Sequence, residues 1–180
     1  MPITPDQKDW TWVLERRCPE CGIDVQSLSR EQVPALIRDN ASRWPGLLEH
    51  PDVARRPSDD VWSGLEYACH VRDVYRLYDE RLQLMLGQDD PLYPNWDQDE
   101  AAVSNRYSEQ TPSLVAKELV AAADALADRF ERVEGGEWER PGRRSDGVSF
   151  TIESFARYLI HDPIHHLNDV EKGYARLAGA

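Results

Sequence analysis

The amino-acid sequence predicts an all-α protein, a four-helix bundle preceded by an irregular N-terminal arm. Four long segments carry apolar residues at helical spacing, and the segments between them are rich in Pro, Gly and Asp. No segment shows the alternation of a half-buried strand. The 180 residues, 41% of them hydrophobic, suffice for one domain with a sizeable core. We expect residues 1–28 to form the arm and residues 29–180 the bundle.

The first helix is predicted to begin at Ser29. Ser29 and Gln32 have the spacing of a capping box, in which each side chain satisfies a free backbone amide of the first turn. Apolar residues follow at mostly helical spacing from Val33 to Leu48, and Pro45 predicts a kink or an early end. The residues before Ser29 have no clean period, so we predict an irregular arm.

The other three helices are bounded by capping and breaking residues. Each begins at a Ser, Thr or Asp that can cap free amides, and the second and third end at glycine. The loop between the second and third, DDPLYPNWDQDE, is rich in Pro and Asp. The predicted spans are 58–87, from Ser58 and Asp59 to Gly87; 111–135, from Thr111-Pro112 to Gly135-Gly136; and from Ser149 or Thr151 to about residue 177.

The formal net charge of −12 argues against a nucleic-acid partner, because a phosphate backbone needs a basic face. It also argues against docking on anionic membranes. The start, MPITPDQKDW, has neither the basic nor the apolar region of a signal peptide. The three cysteines form no disulfide framework. We therefore expect a reduced, cytoplasmic protein.

One stretch of the last predicted helix, HDPIHHLNDV, holds three of the five histidines. Two pairs with i, i+4 spacing overlap in it. At about 100° per residue, Asp162 and His166 lie at the edge of the apolar stripe, whereas His161 and His165 project from the opposite side. Composition favours the two imidazoles as ligands for zinc or nickel, and phase favours the Asp–His pair. Pro163 could rotate one half of the helix against the other, so both pairs stay open.

A third ligand has to come from another helix, and the second helix offers His70 at the inner edge of its apolar stripe. His70 with Asp162 and His166 gives three protein ligands and leaves positions for water or substrate, which is typical of a catalytic metal site. Asp73 and Asn168 could orient the imidazoles by accepting their second N–H. The alternative is a polar seam in which His70 is only hydrogen-bonded in the core.

The segments WSGLEYACHVRDV and HDPIHHLNDV together resemble the DinB superfamily of four-helix-bundle metalloproteins. The resemblance extends over residues 30–178. It implies one metal ligand from the second helix, which falls on His70, and two from the last helix. The usual late motif is His-x-x-His-His, with its first and last histidines as ligands. Aligned on His165 and His166, it puts the ligands at Asp162 and His166, with Asp in place of the first His.

The superfamily includes thiol-dependent S-transferases and mycothiol-dependent maleylpyruvate isomerases. The resemblance therefore implies an enzyme that activates a low-molecular-weight thiol at a divalent metal, with zinc as the expected ion and nickel as an alternative. A close variant is a hydrolase in which the metal activates water. A third hypothesis is a non-catalytic, metal-binding stress-response bundle. The resemblance also implies a small-molecule substrate and a homodimer.

The segment CPECG places Cys18 and Cys21 at the spacing of half a zinc ribbon, but no second CxxC completes it. A redox pair is another interpretation, and a turn whose thiols pack under the arm is the third. The sequence leaves these three open. Cys69 lies on the apolar side of the second helix, and we expect it in the core.

Five further residues could shape a pocket. Trp96, Tyr93 and Tyr107 fall in or near the loop after the second helix, where we expect core or loop packing, with a pocket wall as the alternative. Arg143 and Arg144 stand out in an acidic chain. They belong either to a solvated loop or to a site for a carboxylate of the substrate or thiol.

Overall fold

A computed structural model describes residues 9–179. Its four long helices form a bundle in which α4 packs against α1 and α2, and α5 also packs against both. The predicted four-helix bundle is confirmed. The helices are α1 (Val33–Leu47), α2 (Gly64–Gly87), the short α3 (Gln98–Ser104), α4 (Pro112–Phe130) and α5 (Ile152–Ala178); the strands are β1 (Leu92–Tyr93), β2 (Pro141–Arg144) and β3 (Ser149–Thr151). Among residues 9–179, no helix combines the length and apolar character needed to cross a membrane.

Local capping chemistry determines where the first and last long helices begin. Ser29 and Gln32 form the predicted capping box on a 3-10 turn that leads directly into α1. Pro45 lies in the last turn of α1, which ends two residues later. The hydroxyl of Thr151 caps α5 by accepting from the backbone N–H of Ser154. Both starts therefore follow from side chains within one turn of the helix.

The start predicted for α2 at Ser58 was wrong. The helix begins at Gly64, where the side chain of Glu66 accepts from the backbone N–H of Ser63 and completes a capping box. The buried Glu66 carboxylate also pairs with Arg56. This ion pair stabilises a helix start at Gly64. Ser58 instead forms an isolated bridge with Val61.

A small three-stranded sheet was not predicted. β1 runs parallel to β2, and β2 runs antiparallel to β3. The strands have two to four residues, which is too short for an alternating pattern to be visible. The loop predicted between the second and third helices thus contains β1. A Cβ at Gly142 would lie 2.7 Å from Cγ of Met85, so this glycine allows the sheet to pack closely on the end of α2.

The third long helix ends at Phe130, earlier than the predicted Gly135. Gly135 instead begins a 3-10 helix, Gly135–Glu139, and adopts a positive φ of 50°. This turn carries Trp138 back onto the helix, where its ring stacks on Phe130 at 6.1 Å. Trp138 is therefore buried against the end of α4, and the helix does not continue to Gly135.

The arm, over the described residues 9–28, consists of two short 3-10 helices, Trp10–Leu14 and Val25–Ser27, joined by an irregular segment. Both contact α5. Val13, Cys18 and Val25 are buried. The arm therefore covers one side of α5 while α1 and α2 cover the other.

Asn40 links three helices in the core. It is 3% exposed. Its side-chain oxygen accepts from Trp44 Nε1 at 3.0 Å and from the Tyr75 hydroxyl at 2.8 Å. Its amide nitrogen donates to the carbonyl oxygen of Pro163, 2.9 Å away. Since these partners lie on α1, α2 and α5, Asn40 fixes α5 against the bundle beside the stretch HDPIHH.

We expect Asn40→Ala to lower the free energy of unfolding by about 2–4 kcal/mol, because two buried donors, on Trp44 and Tyr75, lose their acceptor. Tyr75→Phe should cost about 1 kcal/mol, since it removes one of these donors. The exposed Asn105→Ala is the matched control and should stay within about 0.5 kcal/mol of the parent. Urea denaturation under identical metal conditions measures all three. Equal stability of the Asn40 and Asn105 variants would contradict the role given to Asn40.

Candidate metal centre

Helices α2 and α5 bring His70, Asp162 and His166 together. His70 Nε2 lies 3.3 Å from one carboxylate oxygen of Asp162 and 3.4 Å from the other. His166 Nε2 lies 3.6 Å from the same carboxylate. One ligand atom from each residue lies within 4.8 Å of the other two. Asp162 and His166 are one turn apart on α5, and α2 presents His70 to them.

This donor set fits a divalent metal ion. Zinc binds imidazole nitrogen and carboxylate oxygen at about 2.0–2.2 Å, so neighbouring ligand atoms around one ion lie roughly 3–3.5 Å apart. The separations of 3.3 and 3.6 Å are close to that range. Three protein ligands leave at least one coordination position for another molecule. The arrangement is therefore that of an open metal site rather than a closed one.

The carboxylate and imidazoles of this cluster perturb one another. Burial raises the pKa of Asp162, but the imidazoles of His70 and His166 outweigh burial and hold that pKa well below its usual value. Burial lowers the pKa of His166, yet the carboxylates of Asp162 and Asp169 raise it to about 9. Without metal, Asp162 and His166 therefore form an ion pair. A ligand imidazole is neutral, so His166 would have to give up its proton to hold a metal ion here.

Asp169 orients the ring of His166 and was not anticipated from the sequence. His166 Nδ1 donates to the Asp169 carboxylate at 3.0 Å, which directs Nε2 towards Asp162 and His70. A carboxylate that accepts from a ligand imidazole fixes its tautomer and its direction. Asp169 follows His166 by three residues on one helix, a spacing that could have identified it.

The structure places Asp73 and Asn168, which the sequence offered as orienting residues, outside the hydrogen bonds of this cluster. The Asp73 carboxylate accepts from the Tyr107 hydroxyl at 2.6 Å and from Arg72 Nε at 2.8 Å. It is thereby held in a network with those two residues. The Asn168 amide nitrogen is buried, with no hydrogen-bond partner among residues 9–179. Neither side chain contributes a hydrogen bond to the imidazoles of His70 or His166.

The three metal-site residues lie in a cleft of about 970 Å³. Aromatic rings form its walls beside them. Trp96 stacks on His70 at 5.4 Å with an interplanar angle of 20°, and Trp62 lies 5.4 Å from His70 on another side. Tyr67 lies 4.9 Å from His166. Trp96 therefore forms a pocket wall, the alternative given for it, whereas the buried Tyr93 and Tyr107 do not line the cleft.

Three arginines, Arg81, Arg144 and Arg176, also line this cleft. Arg144 pairs with Asp146 at 2.8 Å. Arg81 is buried and was not anticipated, although it follows His70 by 11 residues and therefore shares its face of α2. Arg143 does not line the cleft and pairs with Asp90 at 2.9 Å. Of the two arginines proposed from the sequence, only Arg144 reaches the cleft.

His161 and His165 project from the side of α5 opposite Asp162 and His166, as predicted, but that side is not exposed to solvent. Both are buried, because the arm covers this face of α5, and the ring of Trp10 lies 5.4 Å from one and 5.3 Å from the other. Burial lowers the pKa of His161 to about 4 and also lowers that of His165. Cys18 Sγ lies 3.6 Å from Nδ1 of His165. A second cluster thus adjoins the first one.

The third cysteine lies apart from both clusters. Cys69 is fully buried in the core, as predicted, and its thiol lies 3.8 Å from the carbonyl oxygen of Tyr107. Burial raises the pKa of the Cys69 thiol to about 12. It is therefore a neutral core residue.

Comparisons with known proteins agree with this architecture. A family model described as the DinB superfamily matches residues 37–170. Among solved structures, the chain is similar to YfiT from Bacillus subtilis, described as "a probable metal-dependent hydrolase with an unusual four-helix bundle topology". That match has a TM-score of 0.71 at 18% identity and covers 85% of this chain and 91% of the other. No curated protein sequence matches significantly.

We expect His166→Ala to abolish metal binding at this centre, because two protein ligands remain of three. Asp162→Ala should weaken binding strongly, whereas Asp162→His should preserve or tighten it by supplying a second imidazole on α5. Elemental analysis of the purified variants measures this as the loss of one metal equivalent per chain. His50→Ala is the control, since His50 stacks on Tyr174 outside both clusters. Unchanged metal content in His166→Ala would contradict the assignment.

We expect Asp169→Asn to weaken metal binding about 10- to 100-fold, the usual effect of removing a carboxylate that orients a ligand imidazole. Competition with a chromophoric chelator gives the affinity. Glu171→Gln is the matched control, because Glu171 lies on the same helix as Asp169 and pairs at the surface with Arg43 of α1. An equal effect of both substitutions would show that only the overall charge matters.

Proposed function

The chain belongs to the DinB superfamily, and we propose that it is a metal-dependent enzyme that activates a low-molecular-weight thiol for attack on a small electrophile. The family resemblance inferred from the sequence is thereby confirmed. The observation that carries the proposal is the convergence of His70, Asp162 and His166 in a cleft open to small molecules.

The metal is assigned to His70, Asp162 and His166, with zinc as the expected ion and nickel as the alternative. A divalent cation in this position supplies positive charge that lowers the pKa of a thiol or of water. Asp169 keeps the His166 ring in the binding orientation. The indole of Trp96 covers His70 and excludes water from that side, which strengthens electrostatic interactions in the centre.

The size and lining of the cleft are compatible with a thiol as the nucleophile. Its volume of about 970 Å³ is near the upper end of the usual range for small-molecule sites, roughly 300–1,000 Å³. This is room for two organic molecules, whereas hydrolysis requires only one besides water. The faces of Trp62 and Tyr67 suit an apolar electrophile. Arg144 supplies a guanidinium for a carboxylate on either molecule.

A metal-dependent hydrolase is the second candidate. YfiT, the similar protein of known structure, is described as a probable metal-dependent hydrolase. The same three side chains would serve water activation, since the cation lowers the pKa of water by the same electrostatic effect. The third hypothesis, a non-catalytic metal-binding bundle, requires that the cleft takes no reacting substrate. The two enzymatic proposals differ only in the nucleophile.

We expect thiol-dependent turnover of the electrophile 1-chloro-2,4-dinitrobenzene by the metal-loaded protein. Assays with glutathione, cysteine and mycothiol as separate nucleophiles, with and without chelator, measure it. The rate should fall to background on chelation and in His166→Ala but persist in His50→Ala. Hydrolysis of p-nitrophenyl acetate without any thiol, if it is lost in His166→Ala, would favour the hydrolase proposal over the transferase proposal. Background rates in all assays, with the metal still bound, would leave the non-catalytic bundle.

A further inference from the structure

We propose that Cys18, Cys21, His161 and His165 form a second metal site, a closed structural zinc site that fastens the arm to α5. One ligand atom from each of the four residues lies within 4.8 Å of the other three. The spacing is C-x2-C followed by H-x3-H, within the range of Cys2His2 zinc sites. The missing half of the zinc ribbon is therefore supplied by a helix instead of by a second CxxC.

The cysteine half is a tight turn. The backbone N–H of Gly22 donates to the carbonyl oxygen of Cys18 at 2.9 Å, and the N–H of Cys18 donates to the carbonyl oxygen of Ile23 at 2.8 Å. Gly22 has a φ of 79°, a left-handed conformation that favours glycine. The turn brings the thiols of Cys18 and Cys21 to the same side, towards α5. Both thiols are free rather than joined in a disulfide.

The histidine half is rigid because it is one turn of α5. The rings of His161 and His165 lie 5.0 Å apart. Cys18 Sγ lies 3.6 Å from His165 Nδ1. Zinc bonds of about 2.3 Å to sulfur and 2.0–2.1 Å to nitrogen imply a tetrahedral S–N separation of about 3.6 Å. This edge of the tetrahedron is therefore already formed, and the widest separation needs only a small side-chain adjustment.

An unpaired buried atom points to a ligand. His161 Nε2 is buried and has no hydrogen-bond partner among residues 9–179. Buried polar atoms in native proteins are nearly always satisfied, and a metal ion at this centre would satisfy this one. His165 Nε2 lies 3.7 Å from both Glu20 and Asp169, in the position of the carboxylates that orient zinc-bound imidazoles.

The charge of the proposed centre also suits its burial. Two thiolates and two neutral imidazoles around a zinc dication give a centre with no net charge, which lowers the cost of removing it from water. Four protein ligands complete a tetrahedron and leave no position for substrate. The site is therefore structural rather than catalytic. Asp169 adjoins both centres, because its carboxylate also accepts from His166, so the fastened arm supports the open metal site.

Cobalt substitution tests the proposal, because only this site offers sulfur. The metal-free, reduced chain is loaded with one and then two equivalents of Co²⁺, and absorption is recorded. We expect thiolate-to-cobalt charge-transfer bands and intense tetrahedral d–d bands. They should disappear in the double variant Cys18→Ser/Cys21→Ser and weaken or shift in His161→Ala, but persist unchanged in Cys69→Ser, the matched control. They should also persist in His70→Ala, which separates this proposal from the fate of the open metal site.

A second measurement needs no variant and covers the case in which a ligand variant fails to fold. Zinc-edge X-ray absorption of the wild-type protein loaded with two equivalents should show sulfur scattering at about 2.3 Å. Zinc surrounded only by nitrogen and oxygen would overturn the proposal. So would cobalt–thiolate bands that persist in Cys18→Ser/Cys21→Ser, or a Cys18–Cys21 disulfide that forms in the presence of zinc.

Discussion

The periodicity of α5 is the constraint on which the rest of the structure depends. Neighbouring residues of an α-helix point about 100° apart, so His161 and Asp162 necessarily face different neighbours, as do His165 and His166. Both faces are covered by other parts of the chain, and buried polar groups require partners. One face therefore needs α2 with His70, and the other needs the arm with its two cysteines.

The surrounding packing keeps α5 at the distances that these clusters require. The side-chain amide of Asn40 donates to the carbonyl oxygen of Pro163, a residue that lies within both i, i+4 pairs of α5. Pro163 has no N–H, so one helical hydrogen bond is missing there. Further along, Gly64 leaves no room for a side chain, because a Cβ there would lie 2.3 Å from the Tyr174 hydroxyl. Gly173 packs on Pro57 in a similar way, with a Cβ position 3.0 Å from its ring. Small residues thus allow α5 to lie close to the segment before α2.

The sequence predicted those features that depend on residues within one helical turn. The caps of α1 and α5 and the end of α2 at Gly87 are of this kind. The start of α2 was misplaced because Ser58 also suits a cap; Ser63 and Glu66 have the spacing of a capping box that the prediction overlooked, and Glu66 also pairs with Arg56. The sheet escaped prediction because its short strands are defined by their partners rather than by an internal pattern.

The candidate site divides in the same way. Helical phase predicted that Asp162 and His166 face the interior, where His70 of the second helix could meet them. The structure brings these three residues together. Phase also placed His161 and His165 on the side opposite the apolar stripe, but it could not show what covers that side. It carries no information on an aperiodic arm that returns to cover the other face. For the same reason CPECG looked incomplete, since its partners are 140 residues away in the chain.

Anomalous diffraction from crystals of the zinc-loaded protein, recorded on both sides of the zinc absorption edge, can show whether His70, Asp162 and His166 hold a divalent metal ion. We predict an edge-dependent peak bonded to Nε2 of both histidines and to the Asp162 carboxylate. Stoichiometric zinc with no peak beside His70, or a peak held by His161 and His165 alone, would contradict this prediction.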